Sequence, residues 1–278
     1  MDLKSLACDI SRGYIQNPKV EAVLLGGSVA RNWNDEYSDI ELFIFWKESP
    51  AEEERIDPIH TVDGEIIDFH PYEEEEWSET YITQGVKLEI SNFLTSTVER
   101  IIHEVIIKFD TDLGKQCLIA SINDGIALGG ERTIRQLKDK VKLYPKELSI
   151  AMIKNNLYLG NRWSNREALV AREDWLMLYK VMTSVQINMM GILFGLNRLY
   201  VHHPAFKWQN HSLLKMTIAP MNISDRLTSV LLDHPKKGVK ELEAMVQEIY
   251  DLIQSEFPTI ELSKVNDKAQ FLRPKQTG

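Results

Sequence analysis

The chain has 278 residues, 44% hydrophobic and 26% charged, enough for a large core and more naturally divided in two than single. Its net charge of −9 argues against extended nucleic-acid binding, which needs Lys and Arg to neutralise phosphates. Two cysteines, Cys8 and Cys117, make neither a disulfide framework nor a zinc pattern, and the longest unbroken apolar runs (Leu42 to Trp46, Gly191 to Leu196) are too short to cross a bilayer.

The chain opens, without a charged-then-apolar leader, on an amphipathic helix: Leu3, Leu6, Ala7, Ile10 and Tyr14 recur at helical spacing until Pro18. A cytoplasmic protein with no membrane partner is expected. Val20 to Leu25, bounded by Gly26-Gly27, predicts a buried strand. Asn34-Asp35-Glu36 breaks the pattern, and Asp39 to Trp46 predicts a second strand. Glu65 to His70 predicts a third, Lys87 to Phe93 a fourth, and Ser96 to Ile107 a helix. The run Glu73 to Glu76 reads as a solvated loop.

From Leu113 onward helical spacing dominates and strand alternation disappears. Tyr144-Pro145 punctuates the chain, because proline suits the first turn of a helix and cannot continue one. The expected domains are therefore 1–143 and 144–278. In the second, Ser149 to Trp163, Arg166 to Leu199 and Lys236 to Glu256 predict long helices, and the polar tail after Pro258 is expected to be loosely held. The predicted class is α+β: a mixed sheet with flanking helices, then an all-helical bundle, with a cleft between the two as the natural ligand site.

The chemistry concentrates in "VLLGGSVARNWNDEYSDIELFIFW", Val23 to Trp46. Side chains alternate along a strand, so Asp39, Glu41, Phe43 and Phe45 share one face, with the two acids roughly 6–7 Å apart. Like charges at that range repel, and burial makes each costlier. A divalent cation removes the penalty, and an all-oxygen set selects Mg²⁺ or Mn²⁺ over zinc. Gly27 and Ser28, at a strand end and a helix start, let backbone N–H groups and a hydroxyl approach a phosphate, with Arg31 one turn on as a further anion contact. If the strand "EIIDFH" lies beside Asp39 to Trp46, Asp68 joins the first two acids. Three carboxylates, a phosphate loop and divalent metal are the equipment of nucleotidyl transfer.

Gly27-Ser28, ten intervening residues, Asp39-Ile40-Glu41 and Asp68 on a later strand resemble the nucleotidyltransferase superfamily typified by DNA polymerase beta. Within it the likeness is to bacterial antibiotic nucleotidyltransferases of the aminoglycoside and lincosamide type, which are similar in size and carry a helical domain after the catalytic one. The motif-level likeness covers residues 20–70. The resemblance implies that Asp39 and Glu41 are metal ligands, and that Asp68 is the third acid, assisting metal binding or acting as base on the acceptor hydroxyl. Glu41 stands where Asp is commoner, which the superfamily tolerates. It further implies Mg²⁺ (or Mn²⁺) and a nucleoside triphosphate, ATP, as co-substrate.

Relatives of this type have a Lys close to a Trp in the helical domain, facing the triphosphate, which makes Lys207 in "AFKWQN" the candidate. Arg172 and Asp174 in "AREDW" are candidate acceptor contacts. An exposed lysine beside a core tryptophan, and a surface charge pair at a helix start, would look the same. The expected activity is transfer of a nucleoside monophosphate, AMP from ATP, to a hydroxyl of a small molecule by a monomer or homodimer. Two alternatives stay open: a protein or tRNA acceptor, and a non-catalytic nucleotide-binding module.

Overall fold

The computed structural model describes residues 2–275. The chain folds as two compact units, one from the residues up to Lys108 together with Gly114–Leu143, the other from Phe109–Leu113 together with Tyr144 onward.

The elements of the first unit are α1 (Leu3–Ile15), β1 (Val20–Leu25), α2 (Gly27–Arg31), β2 (Ile40–Trp46), α3 (Glu52–His60), β3 (Glu65–Glu73), β4 (Glu76–Thr83), β5 (Val86–Leu94), α4 (Thr95–Ile106), α5 (Leu113–Asp124), β6 (Ile126–Gly129) and α6 (Glu131–Val141). Asp2 caps α1 by accepting a hydrogen bond from the Lys4 amide, which satisfies one of the amides a helix start leaves bare. The six strands form one mixed sheet in the order β3-β4-β5-β2-β1-β6, with β2 and β5 parallel and every other pair antiparallel.

One sheet face is the core. Leu6, Ala7, Ile10 and Tyr14 of α1 and Ile59 of α3 pack there on Val23, Leu25, Ile40, Leu42, Ile44, Tyr81, Leu88 and Ile90. The opposite face differs along its length. Phe45 and Phe93 are buried where α4 packs on β5 and α6 on β1. Glu41, Thr80 and Ser91 are only partly covered, and Glu89 is exposed.

Two strands escape the sequence reading. β4, "EWSETYIT", begins in the acidic run, and that run is no loose loop: Glu74 and Glu75, both at positive φ, make a tight β3–β4 turn, with Arg100 2.5 Å from Glu75. β6 is four residues long and lies beyond Leu113, where no strand is expected; it pairs with β1 through Leu25↔Ile126 and Leu24↔Ala127.

The second unit contains α7 (Lys146–Asn156), α8 (Arg166–Ala171), α9 (Trp175–Leu196), α10 (Gln209–Leu213), α11 (Ile223–Leu232), α12 (Pro235–Glu256) and α13 (Ser263–Gln270). The helix expected over Arg166 to Leu199 is broken at Arg172–Asp174, where Glu173 has φ 58°. α9 is the core helix, packed by α7, α8, α11 and α12. By length and composition alone this one helix among the described residues could cross a membrane, but 56% of its most apolar stretch is buried inside the unit. Its polar residues, Lys180 and Gln186 among them, break up the apolar run in the linear sequence. The tail is also tied down: Trp163 Nε1 donates to Ala269 O of α13 at 2.9 Å, and the Arg166 guanidinium stacks 4.4 Å from the Trp163 ring while bonding Glu243 at 2.7 Å.

Candidate active site

The site grows from the end of β1. Gly26 N–H donates to Glu41 O at 2.9 Å, so the glycine turn is hydrogen-bonded to the neighbouring strand β2. Gly27 sits at φ +62°, and a Cβ there would clash with the Glu41 carboxylate. Glycine is thus required twice over, by backbone conformation and by the acid packed against it. A Cβ at Gly26 would likewise strike the Phe43 ring. Ser28, 4% exposed, follows in α2. α2 is a single turn of five residues, closed by Asn32 at φ 58°, so its dipole is weak.

Arg31 is held by an acid of α5. Its Nε bonds Asp124 Oδ2 at 3.0 Å, its side chain is 4% exposed, and its guanidinium lies 5.5 Å from the Trp33 ring. Arg31 thereby pins α2 to the end of α5, while its Nη2 is buried without a hydrogen-bond partner among the described residues. Cys117 of α5 lies near Glu41, its thiol pushed up to about 11 by burial first and the Glu41 charge second, so it is a neutral packing group at pH 7.

Across the sheet, Asp68, Thr80, Glu89 and Glu41 form one row on β3, β4, β5 and β2. The strand beside β2 is β5, and β3 is the edge strand. Strands lie about 4.8 Å apart, which puts Asp68 roughly 14 Å from Glu41 and roughly 10 Å from Glu89. The expectation that Asp68 meets the first two acids fails for this topological reason. It lies in the same row and on the same face, but two strands, β4 and β5, stand between it and β2.

The acid that does stand beside Glu41 is Glu89, paired with it in the parallel register. Two residues earlier in each chain segment, Asp39 faces Lys87, whose ammonium is 3.7 Å from Asp39 Oδ2 and hydrogen-bonds Glu89 Oε1. The hydrogen bond to Glu89 first, and the Asp39 charge after it, raise the Lys87 pKa. Like charges opposite one another on neighbouring strands destabilise a sheet. On this face Lys87 supplies a cation to Glu89.

Among the described residues no three His, Cys, Asp or Glu side chains close on one point as a metal cage. What fits a hard divalent ion is the donor chemistry. Asp39, Glu41 and Glu89 offer only carboxylate oxygens, partly exposed, on one face, with an ammonium standing in as counter-ion between two of them.

The signal for Glu89 is present in the sequence. "VKLEISNF" places Lys87, Glu89 and Ser91 on one strand face, as "DIELFIF" places Asp39, Glu41 and Phe43. The other expected residues lie in the second unit. Lys207 is exposed in a turn between Phe206 and Trp208, both at positive φ. Arg172 and Asp174 are exposed at the α8–α9 break, Asp174 being the residue that precedes α9.

Residues 8–103 match the model of the nucleotidyltransferase domain family, and residues 111–209 match a domain of unknown function (DUF4037). Comparison with curated proteins finds no match. Among solved structures, a nucleotidyltransferase-like protein from Exiguobacterium sibiricum 255-15 aligns over 96% of this chain and 78% of its own, at 11% identity and a TM-score of 0.44, too distant to bear on function. The domain match contains the glycine turn, Asp39, Glu41, Lys87 and Glu89, all of them in the first unit. Residues 8–103 of the first unit are thus similar to a nucleotidyltransferase domain.

Proposed function

We infer that this enzyme transfers a nucleoside monophosphate, AMP from ATP, to a hydroxyl group of a small molecule with the help of Mg²⁺. The observation that carries the reading is the pairing of Glu41 with Glu89, next to Asp39 and against the Gly27–Ser28 turn. In this reading Asp39, Glu41 and Glu89 hold the divalent ion. When bound, the ion neutralises charge on the triphosphate and lowers the pKa of the attacking hydroxyl.

The turn amides and the Ser28 hydroxyl orient the phosphates, and the fixed strand geometry of β2 and β5 aligns donor and acceptor. Glu89 takes the role first expected of Asp68: third acid and base on the acceptor hydroxyl. Asp68, farther along the same open face beside Thr80, is placed to attract a cationic group on the acceptor, in keeping with the net charge of −9. An aminoglycoside-like or lincosamide-like acceptor suits that arrangement. The roles of Lys207 at the triphosphate and of Arg172 and Asp174 at the acceptor rest on family resemblance alone.

A pyrophosphate-release screen tests this function, pairing each nucleoside triphosphate and Mg²⁺ with a panel of hydroxylated small molecules. The expected result is acceptor-dependent pyrophosphate release, largest with ATP, and a mass gain of one AMP on the acceptor. Release independent of every acceptor, or labelled transfer to a protein or RNA instead, would overturn the small-molecule reading.

A further inference from the structure

Lys87 has no place in the scheme above, yet it is the cation that the carboxylates of the site hold. It projects from β5 on the open face, 47% exposed, in the row where the parallel register sets it beside Asp39. Its ammonium reaches Asp39 Oδ2 at 3.7 Å on one side and bonds Glu89 Oε1 on the other. A lysine ammonium is a compact point charge on a four-carbon stem that can swing. The cation is therefore resident and movable.

Resting on the metal-dependent reading of the site, we propose that Lys87 is an exchangeable counter-ion: it holds Asp39 and Glu89 together in the metal-free enzyme, a divalent ion displaces it, and the released ammonium then pairs with the triphosphate. The ammonium and a divalent ion a few ångströms apart repel each other, so the two compete for these carboxylates. The free metal must compete with Lys87 and binds weakly. Metal arriving with a nucleotide brings new anionic oxygens for the displaced ammonium, so the enzyme loads the pair together in preference to the metal alone. No covalent step is involved. Lys87 acts by exchanging ion pairs.

The test compares wild type with Lys87→Met, which removes the charge and keeps the length, and with Lys87→Arg, which keeps the charge. Because the side chain is half exposed, both are expected to fold, and thermal unfolding confirms it. Two bindings are measured: Mn²⁺ alone, by its electron paramagnetic resonance signal, and α,β-methylene-ATP at saturating Mg²⁺, by calorimetry. Lys87→Met is expected to hold Mn²⁺ about three- to tenfold more tightly and the nucleotide analogue about three- to tenfold more weakly, opposite shifts that a merely structural role would not give. Lys87→Arg is expected to stay near wild type in both.

Unchanged Mn²⁺ affinity, or undiminished analogue affinity, in Lys87→Met would overturn the exchange. If the wild type still released pyrophosphate in that case, the catalytic reading would stand without it. Failure of the wild type both to bind Mn²⁺ and to release pyrophosphate would overturn the two together.

Discussion

Two carboxylate clusters occupy opposite faces of the same sheet, and they are built to opposite ends. On the core face, Glu79 is 1% exposed and is held by Arg55, itself 3% exposed. Asn92 Nδ2 donates to the other Glu79 oxygen at 2.6 Å, Asn92 Oδ1 accepts from Trp46 Nε1 at 2.9 Å, and Arg55 Nη2 donates to His70 O at 2.7 Å. Every strong group there has a fixed partner. On the open face, Glu89 pairs among the described residues with Lys87, a flexible cation, and its side chain is 47% exposed. A buried acid needs a rigid fork and several hydrogen bonds to survive. An acid meant to receive a ligand keeps a counter-ion that can leave.

The largest expected effect falls on the open cluster. Asp39→Asn should leave the thermal unfolding temperature nearly unchanged and lower kcat by at least about a thousandfold, since several kcal/mol of transition-state charge stabilisation go with the ligand. Pyrophosphate release within tenfold of wild type would break the contrast between the two faces.

The next effect falls on the closed cluster, and on stability. Glu79→Ala strands Arg55 as an uncompensated buried charge and should cost about 3–5 kcal/mol in chemical denaturation. The enzyme that remains folded should keep its kcat. Burial, more than Arg55 can offset, raises the Glu79 carboxyl to about 7 from 4.5. A carboxyl with a raised folded-state pKa binds its proton more tightly folded than unfolded. Its contribution is complete below about pH 4.5 and declines as pH climbs through about 7. Denaturation of Glu79→Gln across that window should lack this decline.

Gly27→Ala joins the two effects on a smaller scale. An alanine at φ +62° costs about 1–2 kcal/mol, and its Cβ displaces the Glu41 carboxylate. Stability should drop by about that amount, with a disproportionate loss of kcat; a loss of stability alone would mean that Glu41 is not part of the catalytic set.

What the sequence made legible was local. β1, the glycine turn and β2 were readable because apolar alternation, Gly26-Gly27 and the Asp39/Glu41 spacing all act over a few residues. The Glu41↔Glu89 pairing was not, because a parallel partner is chosen by the whole sheet, and here it lies 48 positions away with two strands between. Asp68 misled for the same reason: its strand has the right alternation but ends up at the edge. β6 was hidden by its four-residue length and the tail helix α13 by its polar composition, held in place by Trp163 and other contacts distant in sequence. The buried Arg55–Glu79 pair was hidden too, since nothing local distinguishes Glu79 from the acids around it. The fate of Arg31 depended on Asp124, 93 positions on.

In the proposed site the third acid is Glu89, on the strand beside β2, and not Asp68 at the sheet edge. Steady-state pyrophosphate release by Glu89→Gln and Asp68→Asn, measured side by side at saturating Mg²⁺ and ATP, tests it most directly. Glu89→Gln is expected to lose at least about a hundredfold in kcat, whereas Asp68→Asn is expected to keep kcat within about tenfold and to change mainly the KM for the acceptor. The reverse pattern, with Asp68→Asn dead and Glu89→Gln active, would contradict it.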